Sequence, residues 1–284
     1  MAVEVRSARA AQWTVVGKTL DLSEPRVMGI LNITPDSFSD GGELTGVESA
    51  LERAAAMVRA GAAILDVGGE STRPGASDVP VDEEIARVVP VVEAVAARFD
   101  VPVSIDTRKS AVALAALDAG AALVNDVSGL RHDPRIAGVV AERGAGLVLM
   151  HMRGDPRTMG DEAEYADLMG EITEELRTSI DIARRAGVGD EQLVVDPGIG
   201  FAKTSEQSLL LLRDLPRMLE LGRPILIGPS RKSFLGRLLD VDVHERLAGT
   251  VAACVLGYLG GARIFRVHDV GAVAQALTVA RSVT

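Results

Sequence analysis

From Pro25 onward the chain repeats one pattern, a short aliphatic run ending in small or polar residues followed by a longer alanine-rich segment with apolar positions three and four apart. The short runs suit strands; the longer segments carry one apolar face and suit helices. The pattern predicts strands at 27–33, 64–68, 101–106, 123–127, 146–151, 193–196, 224–228 and 263–268. Between and after them it predicts helices at 47–60, 82–98, 110–119, 134–143, 164–186, 207–219, 244–260 and 271–281. Gly61, Gly120, Gly144 and Gly187 follow helices, where a left-handed end needs no Cβ. Ahead of this rhythm, apolar runs at 13–16 and 19–22 flank Gly17-Lys18 and read as a small hairpin.

Repeated strand–helix units imply parallel strands, because a parallel return needs a crossover. The length of 284 residues suits one barrel of roughly 250 residues with a short extension. The division expected is a hairpin extension over 1–26 and a barrel over 27–284. An open doubly wound sheet would show G-x-G-x-x-G after its first strand. Here that place holds Asn32-Ile33-Thr34-Pro35-Asp36-Ser37-Phe38. The later cluster Asp196-Pro197-Gly198-Ile199-Gly200-Phe201 is no P-loop either, since Lys203 does not follow a glycine. The fold class is therefore α/β, a (β/α)8 TIM barrel.

Composition refines this picture. Hydrophobic residues make up 47% but aromatics only 3%, so the core is aliphatic, as in strands covered on both faces. The net charge of −10 argues against nucleic acid as a partner. The one cysteine, Cys254, lies in an apolar run and suits a reducing cytoplasm. No apolar stretch approaches the roughly 18 residues needed to span a bilayer, and no signal core follows a basic start, so a cytoplasmic enzyme off the membrane is expected.

Nearly every predicted strand ends in groups that hydrogen-bond or carry charge, and in a barrel those ends meet at one mouth. They are Asn32, Asp66, Asp106-Thr107-Arg108, Asn125-Asp126, His151, Asp196, Ser230-Arg231-Lys232-Ser233 and Arg266-Val267-His268-Asp269. Each also has a plain structural reading. Asp106 or Asp126 could cap a helix, Arg108 or Arg231 could form ion pairs, and His151 or His268 could be a satisfied polar group under a loop. His132 and His244 are given no function. By residue type the mouth has two halves. Arg266, His268 and Asn32, on neighbouring strands, suit a phosphate or diphosphate with a divalent ion. Asp106, Asn125 and Asp196 suit a flat ring with several N–H donors, to which Lys232 could add a donor. No pattern supplies a covalent nucleophile with its base or a zinc site, so the chemistry is positioning and charge stabilisation.

Eight strings, in order, resemble the dihydropteroate synthase family of pterin-binding enzymes: 29–42, 66–75, 104–107, 125–129, 149–152, 196–201, 230–236 and 266–270. The resemblance implies a transferase that joins 6-hydroxymethyl-7,8-dihydropterin diphosphate to p-aminobenzoate, releasing diphosphate and forming 7,8-dihydropteroate for folate synthesis. It implies pterin contacts from Asp106, Asn125, Asp196 and Lys232, with Met150 and Phe201 packing beside the ring. It implies diphosphate contacts from Asn32, Arg266 and His268, with Mg2+ at Asn32. Phe38, Thr72, Pro74 and Ser233 would shape the p-aminobenzoate pocket, its carboxylate near the start of the helix after Lys232, and sulfonamides would compete there. Loops bearing Asp40 and Arg73 would close over a cation left by dissociative loss of diphosphate, making Asp40, Arg73, Lys232, Arg266 and His268 the catalytic set. A homodimer is implied, with 249–259 a candidate surface. Two departures stand out: Pro229 before Ser230, and the acidic run 154–165. The rival readings are a methyltetrahydrofolate-dependent methyltransferase, which would not need the Arg266/His268 pair, and a non-catalytic pterin-binding paralogue.

Overall fold

The computed structural model describes residues 12–33, 43–71, 75–76, 78–155 and 157–284. A hairpin of β1 (Gln12–Val15) and β2 (Lys18–Asp21) comes first. The barrel strands follow as β3 (Arg26–Asn32), β4 (Ala62–Gly68), β5 (Val103–Asp106), β6 (Leu123–Asp126), β7 (Gly146–Met150), β8 (Leu193–Asp196), β9 (Leu226–Ile227) and β10 (Ile264–Val267). They form a parallel eight-stranded sheet in the order β8-β7-β6-β5-β4-β3-β10-β9. A parallel bridge between Val195 and Ile225, with Val195 N–H donating to Pro224 O at 3.0 Å, joins the two edges and closes the barrel.

The connecting helices are α1 (Glu43–Arg59), α2 (Val81–Arg98), α3 (Ser110–Asp118), α4 (Ile136–Arg143), α5 (Leu168–Arg185), α6 (Ser205–Asp214), α7 (Ser233–Leu239), α8 (Leu247–Leu259) and α9 (Val270–Ser282). Several boundaries differ from the pattern, which had no helix at 233–239. The acidic run before α5 stays outside the helix because Asp167 caps it, its carboxylate accepting from Gly170 N–H at 3.1 Å. Helix α6 stops at Asp214 and tightens into a 3-10 turn carrying Pro216, which lacks the N–H an α-helix needs. Helix α8 starts later than expected, after a separate 3-10 turn over Val243–Glu245. The four glycines expected to end helices all have positive φ.

Alternation along the strands decides what faces the barrel axis. Leu31, Leu65, Val67, Ile105, Val124, Leu149, Val195 and Phe265 join the helices in the large outer core. Met28, Ile64, Leu123, Val148, Val194, Leu226 and Ile264 form a separate inner cluster with Trp13, Val15 and Leu22 of the hairpin segment. The hairpin is thus a stopper at the N-terminal end of the barrel, where Trp13 Nε1 donates to Gln192 O at 2.8 Å and Val16 N–H to Ala122 O at 3.2 Å. Two residues on from this apolar floor, the same inward side carries Asp66, Asn125, Met150, Asp196 and Arg266. One step of the strand period therefore turns an apolar floor into a polar mouth.

Candidate active site

The strand register sets the first contacts. Asp106 lies opposite Asn125, Gly68 opposite Asp106, and Met150 opposite Asp196. Across the barrel, Arg266 reaches from β10 to two carboxylates, its Nε donating to Asp66 Oδ2 and its Nη2 to Asp106 Oδ2, each at 2.5 Å. Asn125 Nδ2 donates to the same Asp66 oxygen at 3.2 Å. The other oxygen of each carboxylate, Oδ1 of Asp66 and of Asp106, is buried with no hydrogen-bond partner among the described residues. A buried acceptor left like this is costly and points to a donor arriving with a ligand.

Burial pushes the Asp106 carboxyl up to about 7; Arg266 pulls it down, while Asp66, Glu84 and Asp126 push it further up. Asp196, also buried, is raised for the same first reason, against the pull of Lys232 and a hydrogen bond from Gly198 N–H at 2.7 Å. Lys232 is lowered to about 7 by desolvation, opposed by the charge of Asp196. Carboxylates pushed up beside an ammonium pushed down are groups whose protonation a ligand can set.

Lys232 is oriented by an unusual turn. Arg231 has φ +56°, a left-handed conformation that costs a non-glycine residue about 1–3 kcal/mol. Its N–H donates to Thr250 Oγ1, its O accepts from Arg246 Nη1, and its guanidinium pairs through Nε and Nη2 with both oxygens of Asp269. From this turn Lys232 extends under the loop after β8, where its Nζ donates to Ile199 O and lies 3.9 Å from the centre of the Phe201 ring. Phe201 packs with Met150, Met152, Met159, Val127 and Ala202 in a small apolar cluster.

That loop holds left-handed φ at Gly198 (+68°), Gly200 (+78°) and Ala202 (+47°). A Cβ on Gly198 would stand 1.9 Å from His151 O, and one on Gly200 2.9 Å from Lys232 Cδ. Gly198→Ala is expected to displace the loop and lower affinity for a heterocycle by about 10-fold to 100-fold, a misplacement of about an ångström being able to cost as much as about 10²-fold. Titration calorimetry with a pterin checks this, and unchanged affinity would mean that the loop does not shape the ring site.

Asn32 ends β3 beside Gly68 and near Asp106; a Cβ on Gly68 would lie 3.8 Å from Asn32 Oδ1 and 3.7 Å from Asp106 Oδ2. His268 Nδ1 is 2.9 Å from Ser230 Oγ, and its N–H donates to the same oxygen at 3.1 Å. Ser233 begins α7 and is exposed. The expected site residues Phe38, Asp40, Thr72, Arg73 and Pro74 lie outside the described residues.

The plain structural readings hold for several strand-end groups. Asp126 binds Ser128 N–H and Oγ and Leu130 N–H within its own turn. Arg108 pairs with Glu70 and Asp78, at 3.0 and 2.9 Å. His151 turns away from the mouth, its Nε2 at 3.0 Å from Glu175 Oε2 and its Nδ1 at 3.0 Å from Lys203 Nζ. Asp66 is the residue that strand-end reasoning left without a role, and its link to Arg266 spans 200 positions of sequence. Glu175, Lys203, Arg246 and Thr250 likewise act through pairings, at shorter separations along the chain, that no local pattern signals.

Toward a metal, Asn32 offers one neutral oxygen, and among the described residues no group of three His, Cys, Asp or Glu could hold an ion. This fits magnesium brought by a substrate phosphate, since that ion keeps several waters and takes few protein ligands.

Residues 28–268 match the model of a family described as pterin binding enzyme. A dihydropteroate synthase of Synechocystis is 52% identical over 255 residues, covering 89% of this chain and 88% of that protein. A crystal structure of Yersinia pestis dihydropteroate synthase in a sulfonamide drug complex superposes with a TM-score of 0.90 at 45% identity, over 95% of this chain and 98% of that one. The Xanthomonas albilineans dihydropteroate synthase with 4-aminobenzoic acid gives 0.90 at 45% identity, over 96% and 98%.

Proposed function

The chain belongs to the pterin-binding enzyme family, and from that membership and the geometry of its mouth we propose that it is a transferase of folate biosynthesis carrying out the dihydropteroate synthase reaction. It joins 6-hydroxymethyl-7,8-dihydropterin diphosphate to p-aminobenzoate and releases diphosphate and 7,8-dihydropteroate. The observation that carries the reading is the pair of buried carboxylate oxygens, Asp66 Oδ1 and Asp106 Oδ1, left for a ligand's N–H groups at the polar end of an otherwise aliphatic barrel.

In this reading Asp106, Asn125 and Asp196 accept from and donate to the edge of the pterin, Lys232 donates to it, and Met150 and Phe201 flank it. Arg266 and His268 face the diphosphate with Asn32. Magnesium, held by Asn32 and phosphate oxygens, would supply charge neutralisation on the leaving group. The bond between the pterin's exocyclic carbon and the diphosphate oxygen breaks first, and the electron pair leaves with diphosphate. The arylamine nitrogen then attacks the cation and gives up a proton. Carboxylates near that cation stabilise it, which suits a site without a nucleophile. The roles of Phe38, Asp40, Thr72, Arg73, Pro74 and Ser233 rest on resemblance to the family, as does competition by sulfonamides, one of which is bound in the Yersinia pestis complex.

The same reading gives a cytoplasmic homodimer. It is supported by the buried thiol of Cys254 and by Leu247 and Leu256, which α8 leaves exposed. No described helix is long and apolar enough to cross a membrane.

The test is to incubate the protein with the two substrates and magnesium and to follow dihydropteroate and diphosphate; binding without product would leave a pterin-binding protein that does not catalyse. A second check is the pH profile of kcat/KM for the pterin substrate. Below about 7 Asp106 gains a proton and loses an acceptor, and above about 7 Lys232 loses its charge. The expected profile is a bell centred near neutrality. Asp106→Asn should flatten its acid limb, and an acid limb unchanged in that variant would assign it to another group.

A further inference from the structure

A second lysine lies on the far side of the loop that Lys232 touches. Lys203 Nζ donates to Phe201 O at 2.8 Å, lies 3.0 Å from His151 Nδ1 and reaches His151 O at 3.5 Å. His151 is neutral, held to about 4 by burial and by the charge of Lys203, which Glu175 opposes. With Nδ1 accepting from Lys203, the imidazole proton sits on Nε2 and is donated to Glu175. Glu175 is fixed in turn by Arg153, whose Nε donates to it at 3.0 Å, and by Arg131. The next carbonyl of the loop, Ala202 O, accepts from Tyr165 Oη at 3.0 Å. The loop is therefore tied at two successive carbonyls, 201 and 202, the second belonging to Ala202, whose left-handed backbone is strained for a residue with a Cβ.

From this arrangement we infer that Lys203 is a positioning residue for the ring half of the site: by tying the Phe201 carbonyl to the end of β7, it sets the Phe201 ring and the Ile199 carbonyl against Lys232. Its partners are the Phe201 carbonyl and His151, which lie outside the anion half, so its effect falls on the heterocycle. The inference rests on the pterin reading above. Burial also lowers the ammonium's hold on its proton, which agrees with a lysine committed to carbonyls and imidazole instead of solvent.

The test uses the whole protein and first measures, for the unaltered chain, product formation and the affinity for 6-hydroxymethyl-7,8-dihydropterin by calorimetry. Absence of both refutes the pterin reading itself. Given both, Lys203→Met, which keeps length and removes the donors, is expected to weaken dihydropterin binding by about 10-fold to 100-fold, the range for a site misplaced by about an ångström. The KM for p-aminobenzoate should change far less. Lys203→Gln keeps one amide donor for the Phe201 carbonyl and should recover part or all of the loss. A purely structural role would lower the unfolding temperature and shift both substrates together, and that result overturns the inference. Unchanged dihydropterin affinity in Lys203→Met overturns it as well. If the Met variant does not fold, Lys203→Ala, which also removes the donors, is read in its place: a selective loss for the dihydropterin supports the inference and unchanged affinity refutes it.

Discussion

Arg266→Ala is expected to lower turnover by about 10²- to 10³-fold, the usual loss when one charge-assisted contact to a developing anion is removed. The structure adds a second effect. The guanidinium is the shared partner of Asp66 and Asp106, so its removal leaves two buried carboxylates without a counter-charge. Breaking a buried pair from one side typically costs about 3–5 kcal/mol. The variant should therefore unfold at a lower urea concentration and take up a proton at Asp106, whose carboxyl loses the charge that pulls it down. The two effects separate in the double variant Arg266→Ala/Asp66→Asn, in which one buried charge is also gone. Stability should recover in part while turnover stays low. Near-normal turnover in the single variant, measured at saturating substrates, would remove Arg266 from the leaving-group site.

Trp13→Ala should have a comparably large effect on stability. The indole is fully buried among the inner ends of the barrel strands, and truncating a buried tryptophan costs about 3–5 kcal/mol. The hairpin has no room to settle into the space, because Gly146 already lets it approach until a Cβ there would stand 2.8 Å from Val15 Cγ1 and 3.1 Å from Trp13 Nε1. Trp13→Phe keeps most of the packing and loses the bond to Gln192 O, so it should cost only about 1 kcal/mol more than the lost indole volume implies. Urea unfolding measures both. KM values of the folded fraction should not move, since Trp13 is at the opposite end from Arg266 and Lys232. Wild-type unfolding in Trp13→Ala would show the hairpin to be an ornament on a self-sufficient barrel.

Much of the barrel was legible in the chain because each strand is a short aliphatic run and each helix carries an apolar stripe. The weakest strand is β9, two residues long. Its pattern extended to five residues in the sequence, but the barrel closes there through the Val195–Ile225 bridge, and Pro224 offers an acceptor without a donor. The mouth was legible for a related reason. Any one polar strand end can be a cap or an ion pair, but so many at one end of the barrel point to a shared mouth, and Asp106, Asn125, Asp196 and Arg266 are brought together there. What sequence could not supply was pairing across the barrel. Asp66 stands in an aliphatic run like its neighbours' and becomes part of the site only through Arg266. Arg108, Arg231 and His151, all at strand ends, differ from the site residues solely in which partner they meet: Glu70, Asp269 and Glu175.

The hairpin stopper also governs traffic. With the floor closed by Trp13 and Val15, the polar mouth is the one doorway among the described residues, and the proposed substrates and products would share it. Under the proposed reaction the ring seat lies against the deepest polar layer, so an arylamine lodged first would stand in the pterin's path. Arrival order then follows from the architecture: the pterin enters, the amine queues behind it, and the joined product departs outward as a single length.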